Sequence, residues 1–384
     1  MSNKNISKLF NLVKDYRADE NKGVVMVSKD RIQKWVDQFN EHDRDLVLNE
    51  TAHVFEKRYL SKENVKKVLL GAIKAMAKSD NDSGNIQSFL SNSIFLDLQP
   101  KGKSQSVLLE LLQSLVEETL ETQIQTSSLE EINNHQVEHF IYFDDVLCTG
   151  NTFFQDIKKI FISKENGRKE YYLKLLDGNI HFHNCFIFYH MFNGDKKRNQ
   201  FNKKINSEIG FHKNFRFYYK YLINNILEEK SNFQILKPLE DHQNDLVNNY
   251  KNRVNEQVDN YINNKYSSDE AFYRPQNIPN NEEFFSSQEN RIRYENILLK
   301  KGIEILKSSN PTKHNIRPLG YSLPSIRDFG FGTLCFTWRN VPNNTPLVFW
   351  YSKGDFMPLF PKKVSGQTIR IMIGGKEETI RIDR

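Results

Sequence analysis

Residues 140–154 read FIYFDDVLCTGNTFF. The stretch opens on apolar and aromatic strand formers. Two adjacent acids, Asp144 and Asp145, follow, then a short loop of small residues and a helix-forming run. A strand–loop–helix unit of this kind predicts an α/β fold, a parallel sheet with helical crossovers. In open sheets of that class ligands bind beyond the carboxyl ends of the strands. A helix N-terminus there offers unpaired amides and a partial positive charge, which suit an anion. Gly150 lets the backbone approach that anion closely, and Thr149, Asn151 and Thr152 complete the loop. The two carboxylates beside it accept hydroxyl hydrogens. A sugar phosphate with a vicinal diol satisfies both halves at once.

A second unit precedes the first. Residues 94–112, IFLDLQPKGKSQSVLLELL, again read as strand, loop and helix. Lys101, Gly102, Lys103 and Ser104 set two ammonium groups and a glycine at a helix N-terminus, a natural place for a polyanion. After the acidic unit, residues 180–192 (IHFHNCFIFYHMF) form a long strand, residues 194–204 (GDKKRNQFNKK) a basic loop, and FRFYYKYL fits either strand or helix.

The flanks differ from this core. Residues 1–90 read as a helical N-terminal region behind a polar leader at 1–22. Ser28 and Asp30 cap an Ile32, Trp35, Val36, Phe39 stripe, and Ser61 with Asn64 opens the next helix. DNDSG at 80–84 is a loop. Residues 91–240 hold the sheet core. Residues 241–310 read as a charged, Asn-rich helical insertion, suited to a protein partner. Residues 311–384 read as a β-rich, hood-like segment, with two strands around Pro342-Asn343-Asn344 and a hairpin around Gly374-Gly375.

IYFDDVLCTGNT resembles the phosphoribosyl-diphosphate (PRPP) signature of type I phosphoribosyltransferases. The resemblance implies that Asp144 and Asp145 contact the ribose hydroxyls and carry the catalytic role. It implies that Thr149, Gly150, Asn151 and Thr152 hold the 5-phosphate, and that Lys101, Gly102, Lys103 and Ser104 hold the diphosphate. It also implies Mg2+, bridging diphosphate and ribose and only indirectly held by the acids. Many members carry a strand pair and a flexible catalytic loop before the acidic strand. Here only ETQIQTSSLEEINNHQ stands there, short and not basic. The flanks are similar to the phosphoribosyltransferase-like proteins of bacterial conflict and anti-phage loci. The shared features are Trp35, Gln38 and Phe39, Lys103 and Ser104, the 342–346 segment, and Leu359, Phe360 and Pro361. That likeness implies a defence role. A turn holding Asn343 and Asn344 over the ribose would select a base.

Two functions follow from these residues. One is an enzyme acting on PRPP or a related nucleotide; the other is an inactive nucleotide sensor or partner-binding module. Net charge is +6, which favours an anionic ligand but gives no nucleic-acid signature. Cys148, Cys185 and Cys335 are too scattered for a disulfide framework. With no apolar stretch of transmembrane length, the expectation is a cytoplasmic protein. His181 and His183 share a strand face, yet no third metal ligand lies near them in sequence. Cys148 reads as a packing residue.

Overall fold

A computed structural model describes residues 3–20, 26–80, 85–129, 131–132, 137–161, 168–205, 209–227, 232–262, 271–309, 311, 313–360, 367–373 and 376–382. Residues 81–84 of the DNDSG loop, Pro361 and Gly374-Gly375 lie outside the described residues.

The N-terminal region is helical from its start. Helix α1 (Asn3–Val13) buries Ile6, Leu9 and Val13, spaced i, i+3 and i+7, and Tyr16 follows them into the core. The leader expected at 1–22 is therefore corrected over 3–13, where its polar residues form one face of a packed helix. Helix α2 (Lys29–Asp37) is capped by Ser28, whose side chain accepts from the Arg31 N–H at 3.1 Å. Its Ile32, Trp35 and Val36 are buried, as the stripe predicts. Helix α3 (Arg44–Arg58) leads into the two-residue strand β1 (Tyr59–Leu60). Ser61 then accepts from the Asn64 N–H at the start of helix α4 (Lys62–Asp80), and helix α5 (Ile86–Ser91) follows.

The sheet core alternates strands and helices. Its elements are β2 (Ser93–Leu96), α6 (Ser104–Leu120), β3 (Thr126–Ser127), β4 (His139–Leu147), α7 (Asn151–Phe161), α8 (Arg168–Leu176), β5 (His181–His190), α9 (Met191–Ile205) and β6 (Phe215–Ile223). The strands lie in the order β3-β2-β4-β5-β6, every neighbouring pair parallel. Both faces are covered, which explains the unbroken apolar runs of β4 and β5. Ile141, Phe143 and Cys185 pack toward α4 and α6; Phe140, Tyr142 and Phe182 pack toward α7 and α8.

Two ambiguous stretches resolve through tertiary packing. FRFYYKYL becomes β6 because β5 gives it a full parallel partner. The basic segment 194–204, expected as a loop, is instead part of α9. Phe201 buries one side of that helix, and Gly194 rests so tightly on Tyr189 that a Cβ would fall 2.1 Å from the ring.

Helices α10 (Asp245–Ile262) and α11 (Gln288–Ser309) do not stand apart. Tyr294, Leu298, Leu299 and Ile303 of α11 share a core with Trp35, Phe55 and Phe349. The chain before α11 is tied to it by buried ion pairs. Glu295 meets Arg274 at 2.9 Å and Arg291 at 3.0 Å, and Arg291 also meets Glu282 at 2.8 Å.

The expected strand pair around Pro342-Asn343-Asn344 needs correction. Only Phe336–Thr337 is a strand, β7, and it pairs in parallel with β1. Leu347–Trp350 is a helical turn, α12, entered through Pro346 at φ −50°. Its apolar side chains are buried as a unit, and the Trp35 indole donates to the Val348 carbonyl at 2.9 Å. Strands β8 (Gln367–Ile373) and β9 (Lys376–Ile382) pair antiparallel with Ile373 opposite Lys376, the expected hairpin. No helix among the described residues is long and apolar enough to cross a membrane.

Candidate ribose-phosphate site

Sheet topology puts the two candidate loops at the carboxyl ends of neighbouring parallel strands. From β2 the chain steps outward to β3, then crosses back to β4 and on to β5 and β6. The reversal makes the carboxyl ends of β2 and β4 a topological switch point, where open sheets of this kind hold ligands. Residues 101–104 follow β2, and Asp144 and Asp145 lie near the end of β4. β4 runs on to Leu147, still paired with β5 past the acids, whereas its pairing with β2 stops at Phe95 opposite Ile141. The acids therefore stand inside the ladder on the β5 side and beyond its end on the β2 side, where Gln99 and Ser104 meet Asp144.

Hydrogen bonds join the first candidate loop to the acids. Ser104, first residue of α6, donates from Oγ to Asp144 Oδ1 at 2.7 Å. Gln99 Nε2 donates to Asp144 Oδ2 at 2.9 Å, and the Asp145 N–H donates to Asp144 Oδ1 at 2.9 Å. Gln105 braces the loop between them. Its amide donates to the Phe143 carbonyl at 3.0 Å, and its Oε1 accepts from the Leu98 and Gln99 N–H groups. Gly102 takes φ +84°, the left-handed turn that only glycine adopts freely, and its N–H donates to Ser106 Oγ at 2.8 Å. Lys101, Gly102 and Lys103 are exposed at this turn.

Asp145 is held from a distant part of the chain. Asn340 Nδ2, three residues beyond β7, donates to Asp145 Oδ2 at 2.6 Å. Asp144 and Asp145 are only 7% and 5% exposed, so each sits in a dry environment. Burial, then the charge of Asp144, raises the Asp145 carboxyl to about 7. Near neutrality this group is thus poised between carboxylic acid and carboxylate.

The loop expected to hold a phosphate lies at the N-terminus of α7. Gly150 has φ +67°, and a Cβ there would sit 2.7 Å from Cγ of Lys197. Lys197, on α9, lays its aliphatic stem across that glycine, with its ammonium 5.3 Å from the Phe154 ring centre. Burial, then Lys196, lowers its pKa. Asn151 and Thr152 are exposed on the first turn of α7, and the Asn151 N–H reaches Thr149 Oγ1 at 3.5 Å. Cys148 is buried, which pushes its thiol well above the usual range, so it is a packing residue and not a thiolate nucleophile.

Other candidates have local partners. The Asn344 side chain donates to the Tyr321 carbonyl at 2.8 Å, and the Asn343 carbonyl accepts from the Tyr321 N–H. His183 is buried between His139, at 3.2 Å, and the Tyr218 hydroxyl, also at 3.2 Å; burial lowers its pKa well below the usual value. Among the described residues no group of three or more His, Cys, Asp or Glu could hold a metal ion.

Sequence reading missed Gln99, Gln105, Asn340 and, as a single residue, Lys197. The two glutamines sit within the loop unit that the sequence marks, and their spacing around Lys101–Ser104 could have drawn notice. Nothing local to Asn340 signals a partner 195 residues away.

No curated protein and no solved structure matches this chain. The sequence model of the family PRTase-CE matches residues 32–362, a span covering the helical N-terminal region, the sheet core with both candidate loops, and the segment carrying Asn340. With most of its length matched, and with the parallel sheet that a phosphoribosyltransferase-like fold requires, this chain belongs to the PRTase-CE family.

Proposed function

We propose that the crevice between β2 and β4 binds the ribose-phosphate moiety of PRPP or a related nucleotide, together with Mg2+. The observation that carries this reading is the Ser104–Asp144 hydrogen bond, which joins the Lys-Gly-Lys loop to the acid pair in one site. Asp144 and Asp145 accept hydrogens from the ribose hydroxyls. The N-terminus of α7 takes the 5-phosphate, with Lys197 beside it as a counter-charge. Lys101 and Lys103 reach the diphosphate.

The protein offers Mg2+ only hard carboxylate oxygens, from Asp144 and Asp145. That set fits an ion that keeps several waters and completes its shell from substrate phosphates. Bound with diphosphate, Mg2+ would offset the charge of the leaving group. The chain's own residues position the ribose and the phosphates and exclude water; no single base is required of them. The likeness of the flanks to proteins of bacterial conflict loci supports a role in anti-phage defence.

One observation favours a second reading, in which the site senses a nucleotide without turning it over. Both acids already have protein donors, and Asn340 would have to yield Asp145 to a ribose hydroxyl. Calorimetry with PRPP and Mg2+, followed by assay of diphosphate release, separates the two. Binding with release supports the enzyme; binding without release supports the sensor. Equal binding by wild type and by Asp144→Asn with Asp145→Asn would remove both.

A further inference from the structure

A second concave surface lies across β5 from the acid pair. It is a groove of about 700 Å³ between α4 and the outer strands of the sheet. One wall is the α4 face made by Val68, Gly71, Ala72 and Ala75, spaced i, i+3, i+4 and i+7. These are small side chains, and a Cβ added at Gly71 would meet nothing within 4 Å. The other wall is β6, five consecutive residues of which, 217–221, line the groove together with Cys185 and Phe186 of β5. Side chains alternate between the faces of a strand, so five residues in a row reach the groove in part through their backbone.

β6 is the sheet's edge. It pairs with β5 on one side and with no strand on the other among the described residues. It spans nine residues without proline. Tyr219 and Leu222 are exposed large apolar residues on it. Natural edges are usually shortened, covered or heavily charged, because an open edge recruits another strand. Charge selects the kind of strand. Lys67 and Lys220 line the groove, no carboxylate does, and neither lysine has a carboxylate partner among the described residues.

We propose that this groove docks an extended acidic segment of a partner protein, added to β6 as a further strand. Backbone hydrogen bonds to the edge fix the segment's register. Its alternate side chains turn toward the small-residue face of α4, and its acidic residues meet Lys67 and Lys220. The acid pair in β4 takes no part in this.

The test uses the full chain and a fluorescein-labelled decapeptide of alternating Glu and Val, followed by fluorescence anisotropy. Wild type is expected to bind it, more weakly as salt rises. Gly71→Leu fills the groove from an open helix position, so it should keep or raise the melting temperature and lose about tenfold or more in affinity. Lys67→Glu with Lys220→Glu should lose a similar factor and gain affinity for an alternating Lys and Val peptide. Absence of binding by wild type, or unchanged binding by Gly71→Leu, overturns the proposal. Two other results overturn it by naming a different occupant. One is a wild-type dimer in sedimentation that Gly71→Leu converts to monomer. The other is an oligothymidylate that binds in place of the peptide through the same two lysines.

Discussion

Two buried clusters of charge in this molecule are built in opposite ways. Beside α11, Glu295 lies between Arg274 and Arg291, and Arg291 also reaches Glu282, so each charge meets its opposite. In β4, Asp144 and Asp145 are neighbours of the same sign, and their side-chain partners are the neutral groups of Ser104, Gln99 and Asn340. The first cluster is complete; it fastens an irregular segment to a helix. The second holds like charges together in a dry place without a cation to answer them among the described residues. A fold gains nothing from that arrangement by itself, and perturbed groups of this kind gather where ligands bind. Under the proposed function, the contrast separates charge buried for architecture from charge buried for ligand binding.

The harshest way to break the contrast is to truncate one member of each cluster. Glu295→Ala leaves the buried Arg274 guanidinium without a carboxylate and Arg291 with Glu282 alone, and should lose about 3–5 kcal/mol in urea unfolding. Asp144→Asn with Asp145→Asn removes like-charge repulsion and should show no comparable loss. Similar losses in both would make the acid pair architectural too.

Ligand affinity gives the next largest effect. Hydrogen bonds to charged groups contribute about 1.5–3 kcal/mol, so the double Asn variant should bind PRPP with Mg2+ roughly 10- to 100-fold more weakly by calorimetry. Retained affinity would move the ribose elsewhere.

The pH dependence of stability sharpens the comparison further. The folded Asp145 carboxyl titrates at about 7, above the ordinary carboxylate value of 3.8. Between those values the folded state holds a proton that the unfolded state has released. Asp145 therefore adds stability that is full below about pH 4 and is lost as pH rises through 7. Relative to Asp145→Asn, wild-type unfolding free energy should fall across that window, by at most about 1.4 kcal/mol per pH unit. Parallel profiles for the two proteins would show an ordinary, solvated Asp145.

The smallest effect concerns the reach from the C-terminal segment. Asn340→Ala removes one donor from Asp145 and should cost about 1 kcal/mol in stability. If a ribose hydroxyl displaces Asn340, the same change should tighten PRPP binding a few-fold, as linkage requires. Weaker binding would instead make Asn340 a ligand contact.

Much of the sheet core was legible because its residues leave little choice. HFIYF and FIFYH are too apolar and too aromatic for anything but buried strands, and the helices between them force parallel pairing. Ser28 and Ser61 marked helix starts because a hydroxyl at that position answers an orphan amide. Where sequence reasoning failed, a distant contact had decided the outcome. The basic residues of α9 look solvated, yet Phe201 and the approach of Gly194 to Tyr189 hold them in a helix. LVFW has every mark of a strand, but Pro346 and a common core with Trp35 turn it into helix.

By itself the sequence determined which groups the site contains: two adjacent acids, a Thr-Gly turn into a helix, and a Lys-Gly-Lys turn before it. Those are local facts, set by the residue types and by backbone rules that act over a few positions. Only the tertiary structure decided how these groups are wired. Ser104 meets Asp144 because β2 and β4 lie side by side and parallel, with their carboxyl ends together. Asn340 meets Asp145, and Lys197 crosses Gly150, because segments remote in the chain fold back over the same strand ends. Such contacts depend on how layers pack over long separations, and no short-range pattern in the sequence encodes them.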